Sequence, residues 1–266
     1  MIAPALLIAA AGLTAALVPA SAMGWILLAY FSWQQWHFQK QNLGLAALAA
    51  SSHGLSPLLV QERRPLMLSG VAGALGLVAH PALLQDGVPG PGSALFPVAL
   101  VAFVATAAAG LAGLLRRGPA DRTAGFTLVY LMALLFSAPI FVFDSPYAAV
   151  GGLSLAHGVQ YLILVALISG TDDTGAGRVI KVGIFANVAV VGGGLLNAMS
   201  HLHGGAAPAR VVYGCYLGLV MTHFVLDAGI WRLSDPRARR FLAARLPQLV
   251  PPRDRQSSPL PLSGAR

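Results

Sequence analysis

Residues 93–115 read SALFPVALVAFVATAAAGLAGLL and run directly into Arg116-Arg117. No charge interrupts the stretch, and about 20 helical residues are enough to cross the roughly 30 Å hydrocarbon core of a bilayer. An apolar run of this length that ends in arginines has the pattern of a membrane-spanning helix. Working outward from it, similar runs bounded by charge, Pro or Gly occupy 2–20, 23–41, 66–84, 123–143, 147–169, 178–200 and 209–232. The sequence therefore predicts an all-α fold, a polytopic transmembrane helical bundle of about eight spans over 1–234, with no soluble domain outside it.

Composition agrees with this reading. Hydrophobic residues make up 56% of the chain and charged residues 10%, against about 25% charged in a soluble domain. The net charge of +8 does not point to nucleic acid, because the basic residues sit in short clusters between apolar runs. Such clusters are a topology signal. Lys40, Arg63 and Arg64 flank the second and third spans, Arg116, Arg117 and Arg122 join the fourth and fifth, and Arg178 and Lys181 follow the sixth. Of 17 basic residues only Arg210 falls on the other side, so both termini are expected in the cytoplasm. The outer connections are then Gly87 to Gly92, Asp144-Ser145-Pro146 and His203-Gly204-Gly205.

The two ends need separate treatment. Ala20-Ser21-Ala22 resembles a signal-peptidase site, but Met1-Ile2-Ala3 lacks a basic n-region, so the first span is expected to be retained. Beyond it, residues 235–266 form a basic cytoplasmic tail. Arg237 to Arg245 has the amphipathic look of a helix lying on an anionic leaflet, and Pro251 to Arg266 has a disordered composition. Cys215, the single cysteine, can build neither an intrachain disulfide nor a thiolate metal site, and is expected to serve helix packing.

Eight of the nine acidic residues fall in loops, ends or tail by this reading, and Asp227 alone lies inside a span. An ionisable side chain there costs at least about 2.5–3.5 kcal/mol to insert, so it marks a functional candidate whose partner must be found. His223 lies four residues back, on the same helical face. In the sixth span His157 shares a face with Gln160 and Tyr161. In the second, Gln34, His37 and Gln41 align. Rise per residue places the three histidines in the inner half of the bilayer, with Asn187 of the seventh span at a similar depth.

Imidazoles with a carboxylate and no thiolate suit iron, zinc, copper or nickel, and two or three histidines with one carboxylate are typical of oxygen-activating iron(II) sites. Zinc-assisted hydrolysis would use the same donors. The candidate ligands are His37, His157, His223 and Asp227. Asp227 and Tyr161 are the candidate catalytic groups, with Gln41, Gln160 and Asn187 supporting the ligands. His80, His201 and His203 fall near the outer surface and are read as interfacial or loop histidines, His53 as solvated. Trp33 and Trp36 are read as members of an interfacial aromatic belt, and Gly192-Gly193-Gly194 as close helix packing.

The closing element His223-Phe-Val-Leu-Asp227-Ala-Gly-Ile230-Trp231-Arg232 resembles the last transmembrane segment of the Brp/Blh family of bacterial and archaeal carotene dioxygenases. That resemblance implies a multi-pass enzyme of a bacterial-type inner membrane, in which histidines from several spans hold a non-haem iron that splits β-carotene to retinal. It makes His223 an iron ligand, with His37 and His157 filling the places of ligands from earlier spans. The family's Pro-His-Gly segment is missing here, and its paired histidines correspond to the single His157. The expectation is a membrane-bound oxygenase with non-haem iron and a lipophilic small-molecule substrate within the lipid bilayer. Alternatives are a proton- or metal-coupled transporter and a haem-binding membrane protein.

Overall fold

A computed structural model describes residues 2–83, 94–169, 175–204, 206–230, 235–247 and 249–250. All regular structure among them is helical: α1 (Ile2–Leu17), α2 (Ala20–Ser52), α3 (Val60–Val78), α4 (Leu95–Arg116), α5 (Ala124–Leu134), α6 (Pro139–Val142), α7 (Pro146–Ser169), α8 (Ala176–Ser200), α9 (Ala207–Ile230) and α10 (Pro236–Arg245), with two short 3-10 turns. The expected connection at 87–92, the closing Trp231-Arg232 and the tail beyond 250 lie outside the described residues.

Every segment expected to span contains helix, but among the described residues four helices are long and apolar enough to cross a membrane: Leu95–Arg116, Pro146–Ile168, Val179–Ser200 and Ala207–Ala228. The other four depart from that pattern for separate reasons. α1 is short. α2 carries the polar run Gln34 to Asn42 in its middle, and α3 opens on Glu62, Arg63 and Arg64. The fifth segment breaks between α5 and α6, where Pro139 begins a new turn.

α2 is the largest departure from the sequence reading. Its 33 residues make a rod of about 50 Å, and it continues well past Gln41, where the polar cluster had suggested an end. The cluster is a docking seam. Gln34 donates to Ser154 Oγ of α7 at 3.2 Å, Gln35 to Ser137 Oγ at 2.6 Å, and Gln39 to Leu66 O of α3 at 2.5 Å. Gln39, Gln35 and Asn42 are buried, and amides in such positions act as interhelical glue because leaving them unpaired is costly. The seam also repairs the broken segment, since Ser137 lies in the break and Gln39 Nε2 reaches Ala133 O at 3.5 Å. Gly70 makes room for it: a Cβ there would stand 2.6 Å from Gln39 Cβ.

Where α3 begins and α4 ends, Glu62 and Arg117 form a buried ion pair, with Nε to Oε1 at 2.7 Å and the second guanidinium nitrogen to Oε2 at 2.8 Å. The sequence had placed both in loops. Glu62 instead sits in the first turn of α3, where it also accepts the backbone N–H of Leu59 at 2.8 Å. Arg117 donates further to Ser56 O and Pro57 O and lies over the Phe126 ring. Hydrogen bonding to Glu62 raises the Arg117 pKa above its already high ordinary value, which keeps the guanidinium charged. Tyr130 completes the latch by donating to Glu62 O and Gly110 O.

α1 runs antiparallel to α9: Thr222 bonds Pro4 O at one end, and Arg210 bonds Val18 O at the other. Gly214 and Gly218 let the two backbones touch, and Cys215 Sγ packs against Gly12, which is the packing role expected of the cysteine. α10 differs from the helix expected on the leaflet. Leu242 of α10 and Leu246 just after it are buried with Leu48 of α2, and Leu167 and Ile168 of α7 pack against them. The protein itself covers that stripe because the C-terminal ends of α2 and α7 present an apolar surface beside it.

Candidate metal centre

Three parallel helices build the site. Contacts between α2 and α7 climb in register, from Gln34 with Ser154 through His37 with His157 to Asn42 with Gln160. Those between α2 and α9 do the same, from Tyr30 with Tyr213 and Leu217 up to His37 with Phe224 and His223. One histidine from each helix therefore meets the others at a single level. Because α2 extends to Ser52, His37 lies far deeper along its helix than the sequence suggested, level with the other two histidines.

His37, His157, His223 and Asp227 each turn one ligand atom into this space, and those four atoms all lie within 4.8 Å of one another. The imidazole centroids are 5.0 Å apart for His37 and His157, 5.7 Å for His37 and His223, and 5.8 Å for His157 and His223. Asp227 Oδ2 stands 3.3 Å from His223 Nε2 and 3.6 Å from His37 Nε2. Asp227, His37 and His157 are buried, and His223 is 35% exposed.

Two features distinguish this group from a cluster of ordinary buried histidines. The carboxylate–imidazole separations exceed the ~2.7–2.9 Å of a charge-assisted hydrogen bond. They are instead near the roughly 3.0–3.4 Å that separates neighbouring ligand atoms on one metal ion whose bonds are about 2.1 Å. Secondly, His37 Nε2 and both ring nitrogens of His157 are buried with no hydrogen-bond partner among the described residues. Buried polar atoms are nearly always paired, and a cation among the four would satisfy donors from all three helices together.

Aromatic rings fix the imidazole planes. Phe224 stacks on His37 at 4.3 Å, Phe38 lies against His157 at 4.5 Å, and Tyr161 sets its ring edge-on to His223 at 5.0 Å. Sequence reasoning missed both phenylalanines, although each adjoins a ligand in the chain. Of the supporting residues expected from sequence, Gln160 donates to Asn42 Oδ1 at 3.5 Å, one turn past His157. Gln41 lies one turn past His37 and has both amide atoms buried. Asn187 is a correction: it is exposed and donates to Gly183 O of its own helix at 2.8 Å. α8 has no buried residue between Val179 and Ser200, so matching depth did not bring Asn187 to the centre.

His53, His80 and His201 are apart from the group. His80 is buried, accepts the Ala82 N–H at Nδ1 and meets Phe143 O through Nε2 at 3.3 Å. Both nitrogens are engaged, which makes it a structural residue of the loop that follows α3, in keeping with its reading as an interfacial or loop histidine. His201 is exposed and bonds Asn197 O, and His53 is exposed at the end of α2.

The fold and site together define an all-helical protein with membrane-type helices and a three-histidine, one-aspartate group able to hold a metal ion. No protein-family model, curated protein or solved structure matches the chain.

Proposed function

We propose that the chain is an integral membrane metalloenzyme, a non-haem iron oxygenase acting on a lipophilic substrate. It spans the bilayer eight times with both ends in the cytoplasm. The convergence of His37, His157, His223 and Asp227 from α2, α7 and α9 carries this reading. Three neutral imidazoles and one carboxylate match iron(II) better than softer sets, and in six-coordination four protein ligands leave two positions open. Iron held there would supply one-electron and dioxygen chemistry.

The protein's own groups set the conditions for that chemistry. Phe38 and Phe224 lock two imidazole planes and line the deep side of the site with apolar surface. Asp227 contributes the negative charge that a divalent ion needs in a low-dielectric setting. The half-buried His223 marks the open side, beside Tyr161, whose ring lies edge-on to it and whose phenol would hold a proton near the substrate. Val159 and Leu162 on the same helix are exposed and apolar, a surface suited to substrates arriving through lipid. The Brp/Blh resemblance of the last helix points the same way and makes a carotenoid the first substrate to test.

Haem fits less well. Two histidines could serve as axial ligands, but the third imidazole and the carboxylate lie within 4.8 Å of both, in the space the macrocycle must occupy. Elemental analysis of detergent-purified protein tests the proposal. Near-stoichiometric iron is expected in the wild type and in His201→Ala, with about tenfold or greater loss in His223→Ala and Asp227→Asn. Metal-free protein that carries proton-coupled flux in vesicles would establish the transporter instead.

A further inference from the structure

α3 and α4 pack antiparallel, and at the end where α3 begins and α4 stops they enclose a groove of about 700 Å3. Val60, Pro65, Ala109 and Ala112 line its apolar floor, and Arg64 and Arg116 line it as well. The floor is shallow because Gly113 brings the two backbones together: a Cβ there would stand 3.0 Å from the carbonyl carbon of Gln61.

Among the described residues nothing neutralises the charge in this groove. Arg64 and Arg116 are exposed, and among the described residues no carboxylate lies within ion-pair distance of either. Glu62, the acid nearest in sequence, has both oxygens committed to Arg117 inside the protein. Two guanidiniums above an apolar floor complement an amphiphile with an anionic head, and guanidinium geometry suits phosphate oxygens. Beyond the arginines the surface stays apolar and exposed at Leu68, Val71 and Leu111, so the groove continues toward lipid and not toward water. The basic tail is an unsuitable occupant, since it carries the same sign of charge.

We infer that this groove holds one anionic phospholipid of the inner leaflet, its phosphate between Arg64 and Arg116 and an acyl chain along Ala109 and Ala112. The inference rests on the proposed membrane topology and is independent of the metal centre. Bound there, the lipid ties the ends of α3 and α4 together beside the Glu62–Arg117 latch.

Native mass spectrometry of the full chain in mild detergent, titrated with phosphatidylglycerol or phosphatidylcholine, provides the test. Phosphatidylglycerol is expected to bind the wild type selectively. The Arg64→Gln/Arg116→Gln double variant should weaken it about thirtyfold, given the worth of two interfacial arginines. Arg64→Lys/Arg116→Lys keeps the charge and should retain most of the binding, which guards against a folding defect. Equal binding of phosphatidylcholine, or unchanged binding in the glutamine variant, overturns the inference. So does loss of the lipid in Arg237→Gln/Arg239→Gln/Arg240→Gln, which would move the site to the tail. Full displacement by millimolar inorganic phosphate would show an anion site without a lipid, and also overturns it. Metal content, measured on the same variants, reports separately on the proposed centre.

Discussion

His157 offers the sharpest residue-scale discrimination. Both its ring nitrogens are buried without a hydrogen-bond partner among the described residues, an arrangement that costs about 1–3 kcal/mol if nothing binds there. Without a metal, His157→Leu should therefore stabilise the protein or leave it unchanged. With one, the same substitution should lower both the metal content and the thermal midpoint, and we expect that result from parallel elemental analysis and thermal unfolding. Glu62 makes a second case. Removing one partner of a buried ion pair leaves the other charge stranded, at about 3–5 kcal/mol, so Glu62→Ala should sharply lower the unfolding midpoint while the metal content of the protein that remains folded is unchanged. A wild-type-like midpoint would show that the latch contributes little.

At the scale of elements, the α1–α9 pair depends on small residues. A Cβ on Gly214 would fall 2.6 Å from Ala15 Cβ, and one on Gly218 would fall 2.6 Å from Ile8 Cα. Close van der Waals packing across small residues holds such helix pairs together, and overpacking costs about 1–3 kcal/mol per site. Gly214→Leu with Gly218→Leu should detach α1, read as faster proteolysis near Val18 in detergent. Because α9 carries His223 and Asp227, metal affinity should fall as well. Intact α1 with full metal content in that variant would show that the seam is dispensable. α2 illustrates why element boundaries were hard to read: Gln39 to Asn42 resembles an interfacial end because amides and a lysine cluster there. Gln39 instead pairs with α3 and α5 and Asn42 with α7, while Lys40 points outward over the Trp36 ring at 5.9 Å.

For the whole molecule, the distribution of basic residues sets the expected topology. Single cysteines introduced into a Cys215→Ser background should be labelled from the cytoplasmic side at 118–122 and in the tail, and from the outer side at 144–146. The opposite pattern would place the metal centre and the lipid groove in the wrong leaflet. The parallel course of α2, α7 and α9 agrees with the proposed topology, in which an odd number of crossings lies between each pair. Parallel neighbours can hold histidines at one level over a long contact.

Helical class, membrane-type hydropathy and the pairing of His223 with Asp227 were all legible in the chain, because 3.6-residue periodicity and the cost of an intramembrane carboxylate act within one helix. His37 and His157 could be nominated by the same rule. Their meeting could not be read, since it depends on which helices are neighbours and how they are staggered. Only the tertiary structure decided that Asn187 turns away, that Phe38 and Phe224 clamp the imidazoles, and that Glu62 and Arg117 join inside the protein. Local sequence encodes which face of a helix is polar, whereas packing between helices distant in the chain selects the partner that face will meet.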